Sequence, residues 1–374
     1  MPEVTTGARL LLAELVAGNA DAWDRAGAIP EPVLRKLGAD GVLCAQVPPE
    51  YGGLGLSSRD NGELTAYAGS LCSSVRSVLT SQGMAAWSVQ RLGDAAQRSW
   101  LLPELCGGKL AAVAFSETEA GSDLAAMGTR ITRTGDDVVV HGTKMWCTAA
   151  ATADYLIVIG RLGDGAAAAV VPTAAPGVRI ERIEDASGCR AAGHADVYLD
   201  EVRLPADHLL GGVAQSLPML ITTALAYGRA SVAWGCVGVL AACLSEAARH
   251  AAGRTQFGKP LAEHQLVARH LAEIAVDEQT ARRACEYASE RWDAGSAEMV
   301  IATVVAKHVS ATNAARASSA AVQVLASAGA RQGHLVSRAH RDAKLMEIIE
   351  GTTEICQLVL ARHVLDQVRL PAEI

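Results

Sequence analysis

The sequence predicts an α+β multidomain fold in three consecutive parts. These are an N-terminal helical domain over residues 1–112, a middle antiparallel β-domain over 113–216 and a C-terminal four-helix bundle over 217–374. Three observations carry this. Apolar residues recur at three- and four-residue steps on both sides of a central segment, the period of a helix face. Inside that segment the pattern changes to short runs rich in Val, Ile and Tyr, separated by Gly, Asp and Pro turns, the texture of closely spaced strands. Half of the 374 residues are apolar, yet there are only six Trp, six Tyr and two Phe. Ala, Leu and Val must therefore build the core, which favours closely packed helices.

In chain order, helical periodicity shows in 8–16 and 84–92, and Pro30 and Pro32 mark a new helix start. The Gly-rich break YGGLGL at 51–56 separates helices. Strands are expected in VVV (138–140), YLIVI (155–159), 168–171, VRIERI (178–183) and VYL (197–199), with turns at TGDD (134–137) and LGDG (162–165). Long helical patterns then cover 217–252, 261–293, 297–330 and 354–368. There is no internal repeat and no low-complexity linker.

Composition excludes several functions. A net charge of −7 without a basic stripe argues against nucleic-acid binding. The longest apolar stretches, such as 230–243, are interrupted before 18 residues, which argues against membrane insertion. No basic start precedes an apolar core at the N-terminus, so no signal peptide is expected. Nine scattered Cys without a C-x-x-C fit buried thiols in a reduced, cytoplasmic setting. No H-E-x-x-H occurs, and His264 and His270 fall on different helix faces, so no metal site is expected. G-R-T-Q-F-G-K at 253–259 starts like a phosphate-binding P-loop, but Pro260 stands where Ser or Thr must hold magnesium. No G-x-G-x-x-G follows a strand and no G-x-S-x-G elbow is present.

Four segments carry the functional reading: VAFSETEAGSD (113–123), VVVHGTKMWCT (138–148), GRTQFGKPLAEHQ (253–265) and HRDAKLMEIIEGTTEI (340–355). In this order, with YGGLG at 51–55, they resemble the acyl-CoA dehydrogenase family, flavoproteins that oxidise acyl thioesters. The resemblance covers nearly the whole chain, matches its helix–β–helix order and implies FAD as cofactor. Phe115 lies beside Ser116, which resembles the hydroxyl residue at the flavin pyrimidine edge. Gly121 and Ser122 stand where the family lets backbone and hydroxyl approach the pyrophosphate, and a Gly beside a small donor suits that approach. Taken alone these residues read as a polar turn into the β-domain. Thr118 and Glu119 replace the family's usual Pro-containing stretch with a more acidic loop.

Trp146 and Thr148, two apart on a strand, are expected on one face. The resemblance gives Trp146 the flavin ring to pack on, and gives Thr148 the ring nitrogen that takes the hydride. The plain alternative is a core Trp beside a strand Thr. Arg254, Gln256 and Phe257 match a segment that reaches across a subunit interface to the partner's FAD, with Arg suited to pyrophosphate charge and Phe to the adenosine side. Gln323, 27 residues before Glu350, resembles an adenylate-side contact, with Ala326 and Ser327 where two Gly usually follow. Thr352 and Glu354 complete the match after the catalytic position, and the resemblance implies that they too bind the cofactor. One FAD built from two chains implies a homo-oligomer, a dimer or a tetramer.

Glu350 aligns with the catalytic Glu of the short- and medium-chain members. Met346, Ile348 and Ile349 suggest an apolar setting, which raises a carboxylate pKa and suits a base for a weakly acidic α proton. Without its E-G-T-T context it would read as a helix-surface charge. Arg229 matches a family Arg under the active site, where it either orients base or substrate or serves structural pairing.

Departures concern the substrate. Ile349 replaces a frequent Tyr, Ala226 replaces an Asp that often binds the pantetheine arm, and His194 stands where Thr or Ser is usual. His194 reads either as a satisfied core histidine or as a contact to a polar substrate group. Arg76 could do the same, although a surface Arg is the default. SLCSSVRSVLTSQGMAAW, SGCRAAGHAD, AYGRASVAWGCVGVL and RDAKLMEIIEG resemble one branch in particular, the acyl-carrier-protein dehydrogenases of hydroxymalonyl and methoxymalonyl extender-unit synthesis in polyketide antibiotic clusters. This implies a partner carrier protein with a phosphopantetheine-linked, hydroxylated three-carbon acyl group, glyceryl or semialdehyde, oxidised to hydroxymalonyl. The alternatives are an ordinary short-chain acyl-CoA dehydrogenase and, from another class, a flavin-free helical scaffold or binding protein.

Overall fold

The computed structural model describes residues 3–369. Six helices open the chain: α1 (Glu3–Val16), α2 (Ala20–Ala26), α3 (Glu31–Ala39), α4 (Ser58–Leu71), α5 (Ser73–Leu92) and α6 (Ala95–Cys106). Seven strands follow: β1 (Ala111–Ala114), β2 (Arg130–Thr134), β3 (Asp137–Cys147), β4 (Tyr155–Leu162), β5 (Gly165–Pro172), β6 (Val178–Arg182) and β7 (Ala195–Pro205). The remainder is α7 (Leu217–Gly253), the short pair β8 (Thr255–Gln256) and β9 (Lys259–Pro260), α8 (Gln265–Asp293), α9 (Met299–Leu325), α10 (Leu335–Ile348) and α11 (Thr353–Arg369). Two compact units form. One takes the chain up to Ser57 together with Ser74–Gly228, and the other takes Ser58–Ser73 and everything from Arg229.

Local chemistry sets the helix ends in the first unit. Pro30 precedes α3 and Pro32 sits in its first turn, where a missing N–H costs nothing. Asp94 and Gln97 close a capping box on α6, with Gln97 N donating to Asp94 Oδ1 at 2.9 Å and Asp94 N to Gln97 Oε1 at 3.0 Å. The sheet runs β1-β4-β2-β3-β7-β6, with β5 paired to β4. Alternate residues such as Leu156 and Val158, Ala167, Ala169 and Val171 enter one core. The five expected strands are present, but β1 and β2 lie outside them. The sheet is also not purely antiparallel, because β1 and β2 each pair with β4 in parallel. Parallel neighbours need a long return connection. The β2–β3 hairpin, between β1 and β4 in sequence, supplies one.

In the second unit α8 and α9 pack together, and α8 buries Ile274, Ala281, Cys285, Ala288 and Trp292 at helical spacing. α4 lies close against α7. A Cβ on Gly238 would come within 1.8 Å of the Ala66 carbonyl oxygen, so only glycine permits this approach. Among the described residues, five helices run from residue 217 onward rather than four, because α10 occupies a stretch with no long pattern. α9 ends at Leu325, short of the expected 330, since Ala326 turns to φ +50°. By length and composition α7 is apolar enough to cross a membrane, with mean hydropathy 1.5 over its best window, contrary to the expectation of interrupted stretches. Two-thirds of that window (67%) is buried within the fold, the mark of a core helix. All nine cysteines are free and buried. Burial pushes the thiols of Cys147, Cys243 and Cys285 up to about 12.

Candidate active site

In the first unit, the end of β3 and the turn after β1 are tied together. Met145 N donates to Ser116 O at 2.8 Å, which sets Ser116 beside Trp146. Lys144, fully buried, donates from Nζ to Phe115 O at 3.0 Å and pairs with Glu117 Oε1 at 2.7 Å. Burial pulls the Lys144 ammonium down. Burial also opposes the Glu117 carboxylate, but Lys144 holds it below its usual range. Sequence reasoning missed Lys144, although its signal was available: a charge at an inward position of a strand. Beyond Glu117, a turn closed by Glu117 and Ala120 leads to Gly121 and Ser122, both exposed. A Cβ on Gly121 would meet nothing within 4 Å.

The expected strand alternation of Trp146 and Thr148 does not hold. A bulge falls between Lys144 and Cys147, Trp146 has φ +57°, and Thr148 lies past the strand end. An extra residue in a bulge breaks the period of two. The indole is nonetheless 52% exposed, its backbone N–H held by Asp196 Oδ1 at 2.9 Å. Ala149 N to Ala192 O (3.0 Å) and Ala151 N to Gly193 O (3.1 Å) then align 148–151 with the segment before β7. This brings Thr148 Oγ1 to 3.3 Å from His194 Nδ1, with the Trp146 and His194 ring centres 5.8 Å apart. His194 is buried, and burial first, then the charges of Arg76 and Arg182, lowers it to about 4. Arg76 is not a surface residue. It is 1% exposed within the Ser-rich start of α5 and donates to Thr80 Oγ1 at 3.2 Å.

In the second unit, Glu350 sits on the turn between α10 and α11 with φ +56°, followed by Gly351 at φ +91°. Three groups hold this turn by its carbonyls. Arg229 Nε donates to Glu350 O at 3.1 Å, Lys307 Nζ donates to Gly351 O at 2.6 Å and to Glu347 O at 3.3 Å, and Cys356 Sγ donates to Gly351 O at 3.6 Å. The surroundings of Glu350 are therefore not simply apolar. Two buried cations adjoin it, each drawn down by burial and supported by the charge of Glu350. Ile349, just before the turn, is half-buried, and Ile348 is 50% exposed. Lys307 was not foreseen, since a lone Lys on a helix reads as a solvated face. Thr352 caps α11, its Oγ1 accepting from Ile355 N at 3.3 Å. Glu354, exposed in the first turn, has its carboxyl lowered by its own backbone N–H and then by Thr352.

Arg254, Gln256 and Phe257 lie on the exposed β8–β9 hairpin. Phe257 is 95% exposed at φ +52°, and His264 Nε2 lies 3.1 Å from Gln256 O. Arg254 lines an open cleft of about 340 Å³ with Arg249, His250 and His334. Gln323 is exposed on the last turn of α9.

These residues fit a flavin dinucleotide. A half-exposed indole beside the hydroxyls of Ser116 and Thr148 suits a flat ring with polar edges. An unobstructed Gly-Ser pair suits close approach of phosphate oxygens.

The chain matches the family models for the acyl-CoA dehydrogenase N-terminal domain over 3–109, middle domain over 112–202 and C-terminal domain over 219–365. It is 32% identical to "Probable acyl-CoA dehydrogenase YngJ" of Bacillus subtilis over 358 residues, 94% of each chain. Among solved structures it is similar to FkbI, described as acting in biosynthesis of the methoxymalonyl extender unit of the polyketide FK520, with 59% identity, TM-score 0.92, and 97% and 99% of the two chains covered. It is also similar to glutaryl-CoA dehydrogenase from Mycobacterium smegmatis in complex with FADH2, with 25% identity, TM-score 0.92, and 97% and 93% covered. The chain therefore belongs to the acyl-CoA dehydrogenase family, and it is an FAD-dependent dehydrogenase of acyl thioesters.

Proposed function

We propose that this enzyme oxidises a small hydroxylated three-carbon acyl group, glyceryl or its semialdehyde, carried as a thioester on an acyl carrier protein, and delivers hydroxymalonyl-carrier protein. The single observation that carries this is the 59% identity to a protein of methoxymalonyl extender-unit biosynthesis.

FAD, when bound, supplies the acceptor for the hydride. Phe115, Ser116, Trp146 and Thr148 would hold its ring, and Gly121 and Ser122 its pyrophosphate. Arg254, Gln256, Phe257 and Gln323 would serve the partner's cofactor, and Thr352 and Glu354, after Glu350, would be further cofactor contacts. Glu350 would take the proton α to the thioester carbonyl, and Arg229 and Lys307 fix where that carboxylate stands by holding the carbonyls of its turn. Losing the α proton and a C3 hydride converts the glyceryl group to an enediol, which tautomerises to the semialdehyde. Once an external electron acceptor has reoxidised the flavin, hydration of the aldehyde and loss of a second proton and hydride give the carboxylate. A homo-oligomer is part of this reading, because Phe257 stands almost fully exposed.

The test is anaerobic mixing of the FAD-loaded enzyme with glyceryl- and semialdehyde-carrier protein, following flavin bleaching and intact-protein mass. Bleaching is expected with both, leaving the semialdehyde mass from glyceryl-carrier protein and the hydroxymalonyl mass from semialdehyde-carrier protein. Bleaching by butyryl-CoA alone would instead make this an ordinary short-chain acyl-CoA dehydrogenase. Glu350→Gln should keep FAD and slow bleaching by about 10²–10⁴-fold, the usual worth of a positioned base.

A further inference from the structure

Thr148 and His194 form a pair whose polarity the structure fixes. His194 Nδ1 stands 3.3 Å from Thr148 Oγ1, while Nε2 is buried with no hydrogen-bond partner among the described residues. The ring is neutral at neutral pH, because burial and then the Arg76 and Arg182 charges lower its pKa to about 4. Two tautomers remain, and they differ in what they strand. With hydrogen on Nδ1, the imidazole donates to Thr148 Oγ1 and leaves Nε2 as a bare acceptor. With hydrogen on Nε2, a buried N–H is orphaned. Structures tolerate an unsatisfied acceptor better than an orphaned donor.

A hydroxyl has a single hydrogen and two lone pairs. Once one lone pair receives the imidazole N–H, the hydrogen must find an acceptor elsewhere. A Thr or Ser at position 194 could exchange donor and acceptor roles with Thr148. A neutral histidine locked in one tautomer cannot.

We propose that His194 is a positioning residue, donating Nδ1–H to Thr148 Oγ1 and so committing the Thr148 hydroxyl to donate its proton outward, to the flavin edge. This rests on the reading above that Thr148 meets the flavin. It assigns His194 a role behind the cofactor contact, away from the substrate, in keeping with a side chain sealed from solvent. A hydroxyl committed to donating favours oxidised FAD, whose ring nitrogen is an acceptor, over reduced FAD, whose nitrogen carries hydrogen.

The experiment uses FAD-loaded enzyme and no substrate. It reads the visible flavin band and the midpoint potential of wild type, His194→Leu, His194→Asn, Thr148→Val and the Leu/Val double variant. Asn can place an amide N–H where Nδ1–H stands, and Leu cannot. His194→Leu should lose about tenfold of the preference for oxidised FAD, a rise of about 30 mV for a two-electron couple, with a shifted band. Thr148→Val should do the same, the double variant should shift no further than Thr148→Val alone, and His194→Asn should restore the wild-type values. If His194→Leu does not fold, His194→Gln, whose N–H reaches the Nε2 position, takes its place and should shift while His194→Asn does not. An unchanged band and potential in the Leu or Gln variant, or additive shifts in the double variant, would overturn the proposal. Failure of every carrier-protein thioester to bleach the wild type overturns the proposed substrate and leaves this result standing.

Discussion

His194 also links the site to pH. Its folded pKa of about 4 lies below the ordinary value near 6.5, so folding favours the neutral ring. The unfolded chain binds the extra proton first as pH falls. Stability from this group is therefore complete above about pH 6.5 and lost progressively down to about pH 4, at most about 3 kcal/mol. Thermal melts of wild type and His194→Asn across that window should diverge, with wild type losing more, whereas parallel curves would contradict the shift. At this scale legibility was uneven. Glu350 could be read because its E-G-T-T neighbours are specific. Lys144 and Lys307 could not, since one-dimensional pattern treats a lysine as solvated, while here Lys307 donates to the carbonyls of a tight turn and Lys144 to the Phe115 carbonyl and the Glu117 carboxylate. Strand alternation predicts Trp146 and Thr148 on one face. The bulge breaks that alternation, and the common neighbour His194 brings the two together instead.

Among the elements, the seam between α4 and α7 is the most exacting. Gly62 faces the Trp234 indole, Gly69 faces the Gly235 carbonyl, and Gly238 faces the Ala66 carbonyl. Main chain cannot retreat as a side chain can, so overpacking there costs at least the usual 1–3 kcal/mol. Gly238→Ala should lower the denaturant midpoint by at least about 2 kcal/mol equivalent without changing the slope, and a neutral result would mean the helices can separate at no cost. The sequence showed α7, α8 and α9 because long apolar periodicity is unmistakable. It hid β1, four small residues without a pattern of their own, and β2, whose exposed Arg and Thr resemble a loop. Their strand character comes from pairing with β4 and β3, which is tertiary information.

For the molecule as a whole, apolar residues without cover call for a partner. Phe257 is 95% exposed, and Leu358, Val364, Leu365 and Val368 leave 56–79% of their surface open on α11. Sedimentation should find an oligomer, and Phe257→Asp should weaken FAD retention more than it weakens the fold of the isolated chain. A monomer with full FAD occupancy would remove the shared-cofactor reading. Chain order read three consecutive parts, whereas compactness assigns Ser58–Ser73 to the same unit as the C-terminal helices. That assignment depends on the glycine seam, which no local pattern announces.

The buried thiols turn this division into something that can be timed. Cys44, Cys106, Cys147 and Cys189 fall in one compact unit, and Cys72, Cys236, Cys243, Cys285 and Cys356 in the other. A sealed thiol is silent to an alkylating reagent until its surroundings open. Pulsed alkylation with peptide mass mapping would thus give each unit its own clock, without any added probe. Two sets of cysteines labelled at one rate would describe a single cooperative opening, and two rates would identify which unit lets go first.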